Sequence, residues 1–200
     1  MYNKLPLSFY RRKDVCLIAR ELLGKVLCTQ IDDKFTSGII VETEAYAHTE
    51  CACHSYGGKR TPRTETFYND GGIAYVYICY GIHPLFNIIT DTAAVADAIL
   101  IRAIAPIAGT DTMLHRRQMD TLHPRLTAGP GVLSRALGIV KAHNTTSLIG
   151  DTIWLEDHAI HYTQSQIIAS TRVGVESAGK DALLPWRYRL RDSKWTSPAK

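Results

Sequence analysis

The sequence predicts a single α+β domain, and three observations lead to that class. Its 200 residues are 46% hydrophobic and 21% charged, an ordinary globular balance with enough apolar content for one sizeable core. Two pairs of β-rich runs joined by turn residues read as antiparallel hairpins on either side of a long aperiodic stretch. Helical patterns with cap signals flank them, and neither an internal repeat nor a low-complexity linker divides residues 1–200.

The first clear helix runs from Asp14 to Leu23. Val15, Ile18 and Leu22 share a face, Asp14 can cap the start and Gly24 can end it. Lys25 to Ile31 reads as a strand, and Asp32-Asp33 as the turn into a second strand, Gly38 to Tyr46. Alternation places Ile39, Val41, Thr43 and Ala45 on one face, suited to a core. Ile40, Glu42, Glu44 and Tyr46 fall on the other. Carboxylates on an otherwise apolar strand are costly unless exposed, paired or useful. They read either as solvated groups of an edge strand, or as a general base or nucleophile beside an aromatic wall.

Residues 47–72 have little periodicity and contain Gly57-Gly58, Pro62 and Gly71-Gly72. Loops of this length in compact domains are usually functional or disordered. This one carries His48, His54, Lys59, Arg60, Arg63 and several aromatics, which favours function. Cys51, Cys53 and His54 suggest a metal, but Cys-x-Cys-His without a second matching pair is a poor zinc signature.

Ala74 to Tyr80 has strong β-propensity, with Tyr75 and Tyr77 on one face. Gly81 then permits a tight turn that leaves Tyr80 near an exposed tip, where an aromatic beside basic loops could wedge between stacked bases. The return strand, Leu85 to Thr90, contains Asn87. Ala98 to Ala105 is a further apolar strand with Arg102 in its middle. A lone arginine there needs an anion, either a structural partner or Glu44.

Asp111 opens a helical pattern through Met113, Leu114 and Met119. Gly129-Pro130 leads into a helix from Val132 to Leu137, whose start can present free amides to a phosphate. Short strands are expected near Ile153–Leu155 and Ile167–Ala169. Arg172-Val173-Gly174-Val175 reads as a basic turn into a strand, and Trp186 to Leu190 as the last strand.

The net charge of +4 and pI near 8.8 tilt mildly toward polyanionic partners. No apolar run reaches the roughly 18 residues of a membrane helix. Met1 to Lys4 lacks the apolar segment of a signal peptide. Of five cysteines, Cys16 and Cys28 sit in apolar patterns and read as buried thiols, which suits a reducing, cytoplasmic setting.

Taken in order, these segments resemble the alkyladenine (3-methyladenine) DNA glycosylase family. The resemblance spans almost the whole chain: Leu22-Leu23-Gly24-Lys25, Val41 to Tyr46, Thr61-Pro62-Arg63, Tyr75 to Gly81, Ile101-Arg102-Ala103, Gly129-Pro130, Arg172 to Val175 and Pro185 to Tyr188. It implies one domain around a curved, mostly antiparallel sheet flanked by helices. The implied activity is that of a monofunctional DNA glycosylase acting as a monomer on duplex DNA, with no cofactor, no metal and no membrane association. A bacterial member would be associated with the nucleoid. In that family Glu44 would be the base that activates water and Arg102 would help hold the water. Tyr46, His54 and Tyr77 would line the pocket for the extruded base, Asn87 would discriminate beside it, and Tyr80 would fill the gap left in the duplex. The expected lesions are 3-methyladenine, 7-methylguanine, hypoxanthine and ethenoadenine.

The chemistry suits those residues. A base inside a duplex must be flipped out to be reached, and damaged pairs open most readily. Alkylated purines carry a positive charge that tyrosine faces favour. Their departure leaves an oxocarbenium-like sugar that a carboxylate can stabilise while deprotonating water. A Schiff base would need an amine, and no lysine lies on the pocket segments, so the expected product is an abasic site without lyase activity. The chain departs from the family pattern at Val132, where a lysine is usual, and at Thr66 to Asp70, which lack a usual methionine and proline. Two other readings remain at this stage: a nucleic-acid-binding module without activity, and a hydrolase of free nucleosides, for which an exposed Tyr80 would have no purpose.

Overall fold

The computed structural model describes residues 2–198. One curled sheet of nine strands organises them, and every named strand pair is antiparallel. Its strands are β1 (Asn3–Lys4), β2 (Val26–Ile31), β3 (Lys34–Tyr46), β4 (Ile73–Cys79), β5 (His83–Thr90), β6 (Asp97–Ala108), β7 (Ile153–Asp157), β8 (Ile167–Ser170) and β9 (Arg187–Leu190). The order along the sheet is β1-β7-β2-β3-β6-β5-β4, with β9 bridging β3 and β8. Four helices pack on it: α1 (Leu7–Tyr10), α2 (Val15–Glu21), α3 (Thr110–Arg117) and α4 (Pro130–Leu137).

Both expected hairpins form. Asp32 and Asp33 adopt left-handed φ values of 55° and 56°, the pattern of a primed turn that matches strand twist. Tyr80 and Gly81 do the same at 50° and 74°, and Ile82 N–H closes that turn on Cys79 O at 3.2 Å. α2 begins as expected, with the Asp14 carboxylate accepting from Leu17 N–H at 2.9 Å. α4 starts at Pro130 rather than Val132, because proline already has a helical φ.

Strand β3 differs from both expectations. Beyond its first residues it is neither an edge nor one-sided. β6 pairs with it from Ser37 to Tyr46, while β2 and then β9 take its other edge. Ile40, Val41, Glu42, Thr43, Glu44 and Ala45 are all buried, and Ile39, expected in the core, is half-exposed. The register is irregular in the same stretch. Ile40 pairs with Ile104 and Glu42 with Ala103, so Val41 is an extra residue. Thr43 then pairs with Ile101, leaving Arg102 extra on the opposite strand. Paired bulges of this kind re-aim side chains.

Other corrections are local. Arg172 to Val175 forms a turn and no strand follows it; a 3₁₀ segment at Glu176–Leu183 does. Cys16 is half-buried, although Cys28 is buried. The aperiodic stretch 47–72 holds two short 3₁₀ turns, Tyr56–Gly58 and Glu65–Tyr68. It is fastened by its own small core, in which Cys53 and Phe67 pack with Tyr75, Ile89 and Ala98. Among the described residues no helix is long and apolar enough to cross a membrane, and no group of three or more His, Cys, Asp or Glu could hold a metal ion.

Candidate active site

A cavity of about 280 Å³ opens where β3 to β6, the start of α4 and the Arg172–Val175 turn converge. That is close to the lower end of the roughly 300–1,000 Å³ usual for ligand sites. Tyr46, His54, Tyr77, Tyr80, Asn87 and Arg102 all line it, joined by Phe67, Tyr75, Leu85, Leu100, Pro130 and Val173. Residues from five separate parts of the chain thus share one hollow. Its walls are chiefly aromatic: the Tyr75 and Tyr77 rings lie 5.4 Å apart and nearly parallel, and His54 meets Tyr77 edge-on at 4.8 Å.

Glu44 sits one layer behind this wall with no exposed surface. Its Oε2 accepts from the Tyr46 hydroxyl at 2.8 Å and pairs with Arg102 Nη1 at 3.1 Å. Its Oε1 accepts from Val173 N–H at 2.8 Å. A carboxylate oxygen has two acceptor directions, so one on Oε1 is left, next to a residue that lines the cavity. Burial raises the Tyr46 hydroxyl well above the usual phenol range, and Glu44 adds to this, so Tyr46 remains a donor.

The bulged Arg102 also answers a second carboxylate. Its Nε donates to Glu42 Oε1 at 2.8 Å, so it joins the two glutamates instead of choosing one. Burial works against the guanidinium's charge, but Glu44 and Glu42 outweigh it and its pKa is raised. The same Glu42 Oε1 also accepts from Arg187 Nε at 2.8 Å and from the Ser197 hydroxyl at 2.7 Å, and Oε2 accepts from the Ser197 amide. Burial likewise opposes the Glu42 charge, yet Arg102, Ser197 and Arg187 leave its pKa lowered.

The rest of the rim is held by arginines. Arg172 makes a fork with Glu50 at 2.6 and 2.8 Å, donates to Ala45 O, and lies 4.7 Å over the Tyr46 ring. Arg63 lies 4.7 Å over Tyr77, with Nη2 3.3 Å from His54 Nε2. Guanidinium only donates, so Nε2 accepts and the His54 proton is on Nδ1, 3.0 Å from the Tyr75 hydroxyl. Burial first, then Arg63 and Lys59, lower the His54 pKa to about 4, so the imidazole is neutral. Asn87 spends its amide nitrogen on Tyr75 O (3.1 Å) and Leu85 O (3.3 Å), which leaves Oδ1 to accept.

Tyr80, at the hairpin tip, is 89% exposed, and Ile82 beside it is 72% exposed. Val173's amide, the Arg172–Glu50 fork, Arg187 and Ser197 had not been singled out from sequence. Arg187 carried the same signal as Arg102, a cation in a strand; Ser197 carried none.

A family model described as methylpurine-DNA glycosylase matches residues 8–194. Three curated relatives carry the name "Putative 3-methyladenine DNA glycosylase". That of Chlamydia felis (strain Fe/C-56) is 45% identical over 192 residues, 95% of this chain and 97% of its own. That of Desulfitobacterium hafniense (strain Y51) is 41% identical over 203 residues, covering 98% of each. That of Clostridium perfringens (strain 13 / Type A) is 38% identical over 203 residues, 97% of this chain and 98% of its own.

Proposed function

Because the chain belongs to the methylpurine-DNA glycosylase family, we propose that its cavity receives a damaged purine flipped out of duplex DNA, and that Glu44 drives hydrolysis of the glycosidic bond. The enzyme is a DNA N-glycosylase of DNA repair. The observation that carries the mechanism is a buried carboxylate fixed by three donors, with one acceptor position left beside an aromatic hollow.

An extruded purine enters with a face toward Tyr77 and its edge toward Asn87 Oδ1. Cationic 3-methyladenine and 7-methylguanine gain from the tyrosine faces. His54, being neutral, adds no opposing charge, and the same walls accept neutral hypoxanthine and ethenoadenine. As the bond to the base lengthens, positive charge grows on the sugar. Glu44 faces that charge and takes a proton from water held at its free Oε1 position, while Arg102 holds the carboxylate in its orientation. No lysine lines the cavity among the described residues, so no amine is placed to form a Schiff base, and the product is an abasic site without strand cleavage. Tyr80 occupies the space vacated in the duplex. The enzyme works as a monomer at the nucleoid.

Glu44→Gln preserves the shape and removes the base. On a panel of single-lesion duplexes it should bind as the wild type does and release base at least about 10²-fold more slowly. Undiminished release would defeat the assignment of Glu44. A wild-type protein that binds lesions but never yields an alkali-labile site would defeat the hydrolytic reading.

A further inference from the structure

Glu42 is fully buried, points to the same side as Glu44, and has no part in the chemistry above. We propose that Ser197, on the segment after β9, is a positioning residue that holds Arg102 through Glu42, making this segment part of the active site although it does not line the cavity. The inference rests on the roles given to Glu44 and Arg102.

The polar groups of this corner are tied to one another. Ser197 N–H donates to Glu42 Oε2 at 2.5 Å and its hydroxyl donates to Oε1 at 2.7 Å. The same hydroxyl accepts from Arg187 Nη2 at 3.2 Å and Arg102 Nη2 at 3.4 Å. A serine hydroxyl has one donor and two acceptor directions, and all three are committed. The Arg102 guanidinium is consequently pinned at each nitrogen: Nε to Glu42, Nη1 to Glu44 and Nη2 to Ser197.

Charge explains why three anchors matter. Two buried carboxylates compete for Arg102. Arg187 and the Ser197 hydroxyl share Glu42 Oε1 with Arg102 Nε, and the Ser197 amide takes Oε2, so Glu42 is satisfied with only one Arg102 nitrogen and Nη1 is left for Glu44. Without the Ser197 hydroxyl, Nη2 has no partner, and the guanidinium plane can turn toward Glu42. Displacements near 1 Å in such groups can lower a rate by about 10²-fold.

The test is single-turnover base release from a duplex containing one methylated purine, alongside affinity for the same duplex, both read well below the melting temperature. Ser197→Ala should release base about tenfold more slowly and bind within about twofold of wild type, a loss confined to the chemical step. Arg102→Lys keeps the charge but cannot span Glu42, Glu44 and Ser197 together. In that background Ser197→Ala should cost less than about twofold, since residues acting through one contact are not additive. Equal tenfold losses in both backgrounds, a parallel loss of affinity, or a lower melting temperature with an unchanged rate would each overturn the inference. Wild-type release matched by Ser197→Ala would remove only the role of Ser197; no release by wild type would remove the glycosylase mechanism with it.

Discussion

The floor of the site and its rim are built on opposite terms. Glu42, Glu44, Arg102 and Arg187 lie inside the sheet with 6% exposure at most, and each has its partners within the same group or the adjoining chain. At the rim, Tyr80 and Ile82 stand in solvent on a turn whose tyrosine has left-handed φ, a conformation that disfavours it. The floor's desolvation is offset inside the protein, so its geometry exists before anything binds. Nothing within the described residues covers these two side chains of the rim. The lower part is satisfied within the protein, and the upper part is left open to solvent.

The comparison breaks most visibly at Arg102. Arg102→Met keeps much of the volume but strands two buried carboxylates. Removing one member of a buried pair typically costs about 3–5 kcal/mol. Denaturant unfolding should show a loss of that size, and base release should vanish with it. A loss below about 1 kcal/mol would mean that the floor is not held by mutual charge.

Tyr80→Gly should separate function from folding. Glycine accepts φ of 50° without strain, so stability should hold or rise by about 0.5–1 kcal/mol. Stacking by one aromatic on a base is worth about 1–3 kcal/mol, so affinity for a lesion duplex should fall roughly 5- to 150-fold. If the variant bound damaged duplex as wild type does, the rim would not be the wedge.

The same contrast decides what could be read from the sequence. The rim was legible because turns and exposed aromatics obey local rules: Tyr80-Gly81 could be placed at a tip from β-propensity and one glycine. α2 and both hairpins were legible for the same reason. The floor was only half legible. Glu44 and Arg102 stood out as charges in apolar strands, and alternation grouped Glu42, Glu44 and Tyr46 on one side, but it could not show that both faces of β3 are buried, and no local pattern marks its two bulges. The Glu50–Arg172 and Glu42–Ser197 contacts join residues 122 and 155 positions apart, and only the closed sheet brings them together. Arg172 to Val175 misled for a related reason: β-branched residues there serve a turn that delivers the Val173 amide to Glu44.

His54 lies where floor and rim meet, and its effect is the smallest of the three and the most sensitive to surroundings. An unfolded histidine titrates near 6.5, whereas the folded one resists protonation until about 4. Between those values the unfolded chain binds more protons, so stability is complete above about pH 6.5 and falls as pH drops toward 4. Partial exposure limits the change to about 1 kcal/mol. Glu42, whose pKa is lowered, gives stability that is lost only below the ordinary carboxylate range, so the two windows separate. Unfolding measured from pH 4.5 to 7.5 should slope for wild type and flatten for His54→Gln. Burial is the larger cause and Arg63 the next, so Arg63→Gln should narrow the window from its acid end without closing it. A wild-type profile that is flat across this range, or the same slope in His54→Gln, would show that folding does not hold His54 neutral, and the pocket would then gain a positive charge at the acid end of the range.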